Sequence, residues 1–170
     1  MIAVLIVLML MCAYASSPYV HPYEAGTLLE YLSENRVREE LHKADRADPG
    51  RKSVTLDDEF VYSTLARLAP NGYEVSREVP PEYRLYFNGS AGMPWHRDQR
   101  VLDGKYLEAV LTLFNDSDSK YECKRLWGTQ SITPKMGTLV LVKPEGISHR
   151  VTPVTRGSRE IIKFVIQRII

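Results

Sequence analysis

With 170 residues the chain has room for one domain with a real core and not for two ordinary ones. Lys and Arg total 22 against 21 for Asp and Glu, so no net field draws a polyanion or an acidic membrane surface, and charge gives nucleic-acid binding no support. The only cysteines, Cys12 and Cys123, argue against a disulfide framework.

In chain order, Met1 to Ala15 is almost wholly apolar, and Ala13-Tyr14-Ala15 has the small-x-small form that signal peptidase reads. No Lys or Arg precedes it, and at roughly a dozen apolar residues it falls short of the ~20 that a membrane helix needs. It reads first as a cleaved secretory signal, with an uncleaved anchor or an ordinary buried segment as alternatives, and leaves 16–170 as a single domain. That reading expects the secretory pathway, in the endoplasmic reticulum lumen or at a membrane, with the cytoplasm left open. The sequons at Asn88 and Asn115 matter only there, and their closeness to the polar residues at 96–98 weighs against the route.

From Glu24 to about Ala47 the residues suit a helix, with Leu28, Leu29, Leu32, Val37 and Leu41 in an apolar stripe and Asp48-Pro49-Gly50 as the stop. A second helix is predicted from Asp57-Asp58, whose carboxylates suit a helix N-terminus, to Pro70-Asn71-Gly72. After Gly72 short segments rich in Val, Ile, Thr and Tyr alternate with turn residues: Tyr83 to Phe87, Leu107 to Phe114, Thr138 to Val142, His149 to Val154 and Arg159 to Ile169. Helices over about 24–70 and a β core over about 73–170 predict an α+β, mainly β protein, with the helices buttressing one sheet of a jelly roll. No internal repeat, low-complexity segment or long linker interrupts it.

Of four histidines, two stand where a core residue has no need of them. His96 lies in Pro94-Trp95-His96-Arg97-Asp98, where the period of two along an extended strand puts imidazole and carboxylate on one face, within reach of one ion. His149, at the start of a later β-like run, is the candidate third ligand. Two imidazoles and one carboxylate make the facial triad that holds non-haem iron(II) and leaves coordination positions open. A bidentate keto acid can occupy two of them and oxygen the last. An isolated His-x-Asp is weak by itself, because it arises by chance in many chains.

Further motifs stand around it in order: Tyr86-Phe87-Asn88-Gly89, then His96-Arg97-Asp98, Leu111 to Asp116, Gly128-Thr129, Pro134-Lys135-Met136-Gly137-Thr138, and His149 to Val154 with Gly157 and Arg159 behind. Through them the half of the chain from Tyr83 onward resembles the iron(II)/2-oxoglutarate-dependent oxygenase superfamily, most closely its prolyl 4-hydroxylase-like branch of compact double-stranded β-helix domains. The resemblance implies Fe(II) on His96, Asp98 and His149, chelated by the keto acid end of 2-oxoglutarate. The far carboxylate of that cosubstrate would meet Arg159, whose planar fork grips a carboxylate bidentately and keeps its charge, and Tyr86 would donate its hydroxyl to the cosubstrate. Close prolyl-hydroxylase relatives use lysine at the anchor position and other branches share the arginine; Lys163, on the same strand face as Arg159, is the fallback anchor. The carboxylate at Asp98 argues against halogenation, whose enzymes have a small residue there.

The implied activity is a dioxygenase that uses O2 to decarboxylate 2-oxoglutarate to succinate while hydroxylating a peptide or small-molecule substrate, with a peptidyl side chain such as proline as the first guess and ascorbate as a candidate reductant. Membrane association is expected only if the N-terminal segment stays uncleaved. Two competing readings use the same residues: a catalytically inactive cupin-like jelly roll that binds a ligand, and a cupin-type metalloenzyme without 2-oxoglutarate. Such cupin sites carry more histidine, and no third His lies near His96. Of the remaining residues, Trp95 could stack on a substrate and Tyr106, Tyr121 and Trp127 could form a recognition surface, with packing the commoner role for each; Arg97 and Arg100 could line the mouth, with a charged strand edge the commoner reason; His21 and His42 read as non-ligands, Cys123 as a lone thiol, and Glu39-Glu40 with Lys43 to Arg46 as a solvent-facing helix surface.

Overall fold

The computed structural model describes residues 19–44 and 50–169; the apolar run at 1–15, and with it the expected signal or anchor, lies outside them, as does Asp48-Pro49 of the expected helix stop. After a short strand β1 (Tyr19–Val20), helix α1 (Pro22–Glu34) starts with proline in its first turn, where the missing N–H costs nothing. The single helix expected from Glu24 to Ala47 is two helices, because the chain turns at Asn35-Arg36 before α2 (Val37–Lys43). Asn35 donates its side-chain amide to the Tyr31 carbonyl (2.9 Å), competing with the helical ladder, and Arg36 takes a left-handed φ of 62°. Helix α3 (Glu59–Ala66) follows strand β2 (Lys52–Thr55) and is shorter than predicted; the Asp58 carboxylate caps it by accepting the Phe60 N–H at 2.8 Å.

The strands that follow are β3 (Tyr73–Val75), β4 (Glu82–Tyr86), β5 (Met93–His96), β6 (Tyr106–Asn115), β7 (Tyr121–Arg125), β8 (Gly128–Ile132), β9 (Thr138–Val142), β10 (His149–Val151) and β11 (Arg159–Arg168). They form two antiparallel sheets. The larger runs β1-β9-β6-β11-β4-β2, with β3 paired to the far end of β11, and the smaller runs β5-β10-β7-β8. Every expected strand is present. β1, β2, β3, β7 and β8 are additional: β1 and β3 have only 2 and 3 residues, β2 and β8 are slightly buried, and β7 alternates too briefly to stand out.

Alternation along β6 and β11 divides the interior. Leu107, Ala109 and Leu111 on β6, with Ile162, Phe164 and Ile166 on β11, pack beneath Ala25, Leu28 and Leu32 of α1 and Val61 and Leu65 of α3. The opposite face of the same strands meets the small sheet through Tyr121, Cys123, Val140 and Val142. Each fully buried Leu or Ile contributes ~1.5–3 kcal/mol, so the helix side carries most of the apolar stabilisation. This is the predicted jelly roll with helices against one sheet. No helix among the described residues is long and apolar enough to cross a membrane.

Candidate metal and cosubstrate centre

Strands β5 and β10 pair so that His96 stands directly across from His149, with ring centroids 4.3 Å apart. Gly92, at φ +70°, permits the approach: a Cβ there would come within 2.3 Å of the Val151 carbonyl oxygen. Asp98 lies just beyond β5, where its own carbonyl accepts the Glu145 N–H at 2.9 Å and ties this loop to the turn between β9 and β10. Its Oδ2 is 3.3 Å from His149 Nε2 and its Oδ1 is 3.7 Å from His96 Nε2. The three ligand atoms all lie within 4.8 Å of one another.

Second partners orient both rings. His96 Nδ1 lies 2.7 Å from the Pro94 carbonyl oxygen and His149 Nδ1 lies 3.1 Å from that of Ile147. A carbonyl can only accept, so each Nδ1 carries the proton and each Nε2 keeps its lone pair toward the cleft. Burial pushes the His149 pKa below its ordinary value, which favours the neutral imidazole a metal requires. His96 Nε2 is buried without a hydrogen-bond partner among the described residues. Two ligands ~2.1 Å from one ion at right angles sit about 3 Å apart, and the two carboxylate–imidazole separations, 3.3 and 3.7 Å, approach this. The donor set, tautomers and orphaned nitrogen therefore fit a divalent ion, with His96, Asp98 and His149 as the residues that would hold it.

Behind this triad a cleft of about 540 Å³, counting its open mouth, runs between the sheets. Arg159, first residue of β11, lies at the cleft opposite Tyr86 of β4, and the side chain is only 2% exposed. Its Nε and Nη1 are buried without partners among the described residues, and burial pushes the guanidinium below its ordinary pKa. Tyr86 also lines the cleft, where its hydroxyl lies 3.9 Å from Met93 Sδ and meets the Arg84 guanidinium. Tyr121, read from sequence as packing or part of a recognition surface, does pack on His149, with centroids 5.5 Å apart, but its hydroxyl is a buried group in the same cleft with no hydrogen-bond partner among the described residues. Burial raises the Tyr121 pKa and keeps the phenol protonated, hence a donor. The signal available for it was Tyr121 and Cys123 alternating with Glu122 and Lys124, an inward face on a strand that composition does not announce.

Lys163, the fallback anchor, does line the cleft, yet its ammonium is paired with Glu108 and lies 3.9 Å from Asp98 Oδ1, at the triad rather than beside Arg159. Glu108 and Arg84, neither singled out from sequence, also line the cleft, and Arg84 pairs with Glu82. Other residues lie apart. Trp95 sits between Lys124 Nζ (5.1 Å) and Arg150 (4.9 Å), as a packing residue would. The Tyr106 hydroxyl accepts the Val101 N–H, and His42 contacts Glu160 on the helix side. Trp127 is 98% exposed at the β7–β8 turn, so the packing expected of it is absent: the turn projects the ring away from both sheets.

No protein-family model matches the sequence, and no curated protein sequence matches it. Solved structures do match the fold. A prolyl-4-hydroxylase from Pseudomonas putida aligns over 91% of each chain at 20% identity, with a TM-score of 0.66. HygX from Streptomyces hygroscopicus, solved with nickel and 2-oxoglutarate bound, aligns over 88% of this chain and 82% of its own at 14% identity and a TM-score of 0.61. A prolyl hydroxylase from Trichoplax adhaerens, in complex with a hypoxia inducible factor oxygen degradation domain peptide fragment, covers 85% of this chain and 78% of its own at 14% identity and a TM-score of 0.58. The chain thus has the jelly-roll fold of the 2-oxoglutarate/iron(II) oxygenases. Prolyl hydroxylases are among the structures that share this architecture.

Proposed function

We propose that this protein is an Fe(II)/2-oxoglutarate-dependent dioxygenase that hydroxylates an organic substrate, a peptidyl side chain such as proline being the first candidate. The observation that carries the reading is the combination in one cleft of an orphaned two-His, one-carboxylate cluster and a buried, unpaired guanidinium. Bound there, iron(II) would supply the chemistry that couples oxidative decarboxylation of 2-oxoglutarate by O2, giving succinate and carbon dioxide, to hydroxylation of a C–H bond.

The chain's own residues divide the work. His96 and His149 present Nε2 and Asp98 a carboxylate oxygen to the metal. Arg159 takes the far carboxylate of the cosubstrate through charge-assisted hydrogen bonds, and the Tyr86 and Tyr121 hydroxyls are placed to donate to the same ligand. Val110, Val140 and Ile161 line the cleft with hydrocarbon and exclude water around the cosubstrate stem. His96 remains partly exposed, so the metal side opens to solvent where a peptide can approach. Peptidyl substrate is further supported by the peptide-bound neighbour. Ascorbate as reductant, secretory processing of residues 1–15 and the corresponding location belong to the same proposal, as does the expectation of no nucleic-acid partner.

The test is anaerobic titration of the full-length protein with Fe(II) and 2-oxoglutarate, followed by a peptide and metabolite screen for oxygen-dependent mass gain. Succinate should form in step with substrate modification and vanish in His96→Ala. If the wild type with iron neither binds nor turns over 2-oxoglutarate, the chain is a binding module instead.

A further inference from the structure

We propose that the partly exposed Lys163 and the buried Glu108 form a mutually neutralising pair that positions the Asp98 carboxylate for the metal. This rests on the metal reading above and assigns Lys163 a task other than anchoring the cosubstrate.

The inward residues of β11 are Arg159, Ile161 and Lys163. At ~3.3 Å rise per residue the two cations leave the strand about 13 Å apart. They therefore serve opposite ends of the cleft. Lys163 is salt-bridged to Glu108 of β6, whose side chain is 4% exposed, and its Nζ is 3.9 Å from Asp98 Oδ1. The other oxygen of Asp98, Oδ2, is the one nearer His149 Nε2. Asp98 sits in a loop beyond the last ladder position of β5, so no strand pairing sets its carboxylate plane. The ammonium supplies the missing reference beside Oδ1, which also lies 3.7 Å from His96 Nε2, and so leaves Oδ2 turned to His149.

Charge explains why two residues are needed. A lone ammonium beside Asp98 would neutralise the ligand and repel a divalent ion, both of which weaken metal binding. Glu108 cancels that field while keeping the ammonium in place. Stability gives no alternative reason for the pair, because buried ion pairs replaced by apolar residues of similar volume are often neutral or stabilising.

Three variants separate these roles: Lys163→Met, Glu108→Gln and the double substitution, with Lys163→Arg as the charge-conserving control. Mn(II) and Co(II) affinities of the full-length chain, the Co(II) visible spectrum, 2-oxoglutarate affinity and melting temperature are measured for each. Lys163→Met should weaken both ions about ten- to a hundredfold, the cost typical of losing a group that orients a ligand. It should also alter the Co(II) spectrum, while Lys163→Arg retains most of the affinity. Glu108→Gln should weaken metal binding further, since the ammonium is left uncompensated, and the double variant should return to the Lys163→Met level. Unchanged metal affinity in all variants, or a loss of 2-oxoglutarate binding in Lys163→Met at unchanged metal affinity, would overturn the proposal. A wild type that takes up neither ion would instead sink the metal reading itself, so the two failures are distinguishable.

Discussion

A guanidinium shut away from water with two nitrogens unpaired is costly to keep, and Arg159 is in that state. Nothing on the helix side relieves it, since the neighbouring Glu160 points to the opposite face of β11 toward Arg38 and Tyr83. A ligand carboxylate would remove the penalty. Arg159→Met should therefore weaken 2-oxoglutarate by about ten- to a hundredfold, the worth of ~1.5–3 kcal/mol for charged hydrogen bonds. The melting temperature of the ligand-free protein should not fall, because the variant exchanges an unpaired cation for a hydrocarbon of similar length. Anaerobic calorimetry beside a thermal melt checks both halves; retained 2-oxoglutarate affinity with lost metal would count against the assignment. At this scale the sequence was most legible where residue chemistry is distinctive: His96, Asp98, His149 and Arg159 could each be named. Tyr121 could not be assigned, because a tyrosine on a strand has the same appearance whether its hydroxyl meets solvent, protein or ligand.

Among the elements, α2 has only seven residues and marginal helix-forming length by itself. A buried carboxylate holds it to the sheet. Arg38 donates Nε and Nη2 to the two oxygens of Glu160 at 2.9 and 2.8 Å, Tyr83 donates its hydroxyl, and His42 Nε2 lies 3.2 Å away. Burial alone would raise the Glu160 pKa, but the Arg38 and Tyr83 contacts outweigh it and hold the carboxyl below its ordinary value near 4.5. A depressed folded pKa stabilises the protein above the unfolded value, and that contribution is lost as pH falls through the folded one. Thermal stability should accordingly decline on acidification below about pH 4.5, and Glu160→Gln should flatten that decline. Arg38→Ala should cost about 3 kcal/mol at neutral pH, the low end for breaking a buried pair, because Arg38 is partly solvated. Urea unfolding at several pH values measures both, and a pH slope unaltered in Glu160→Gln would refute the linkage. The turn at Asn35-Arg36 that separates α1 from α2 escaped the sequence reading because the apolar stripe continues through it; the ladder ends where Arg36 takes a left-handed φ and its N–H turns to the Ser33 carbonyl.

At the level of the whole molecule, the large sheet has a thick apolar layer on its helix side and a thinner, charged one on its cleft side. The small sheet closes over that second layer with short strands and few large buried side chains. Stability on the cleft side is therefore expected to depend on what fills the cleft. Ligands that bind only the folded state at a hundredfold excess over Kd add about 2.7 kcal/mol, which raises the melting temperature of a domain this size by about 5–10 °C. Mn(II) with 2-oxoglutarate should produce such a shift, and chelation should reverse it. A melt indifferent to both would show that the cleft takes neither.

The sequence by itself determined that helices come first and strands afterwards, the mainly β class with helices on one side, and the identity of the chemically distinctive side chains. Those depend on local periodicity, turn residues and functional groups, which a linear chain displays directly. Only tertiary structure decided that His96 meets His149 across a strand pair, that Lys163 belongs to Asp98 and Glu108 while Arg159 stands alone, and that Tyr121 turns its hydroxyl inward. Pairing register and the partners of buried charges are long-range facts, set by which strands become neighbours and which groups lose their water.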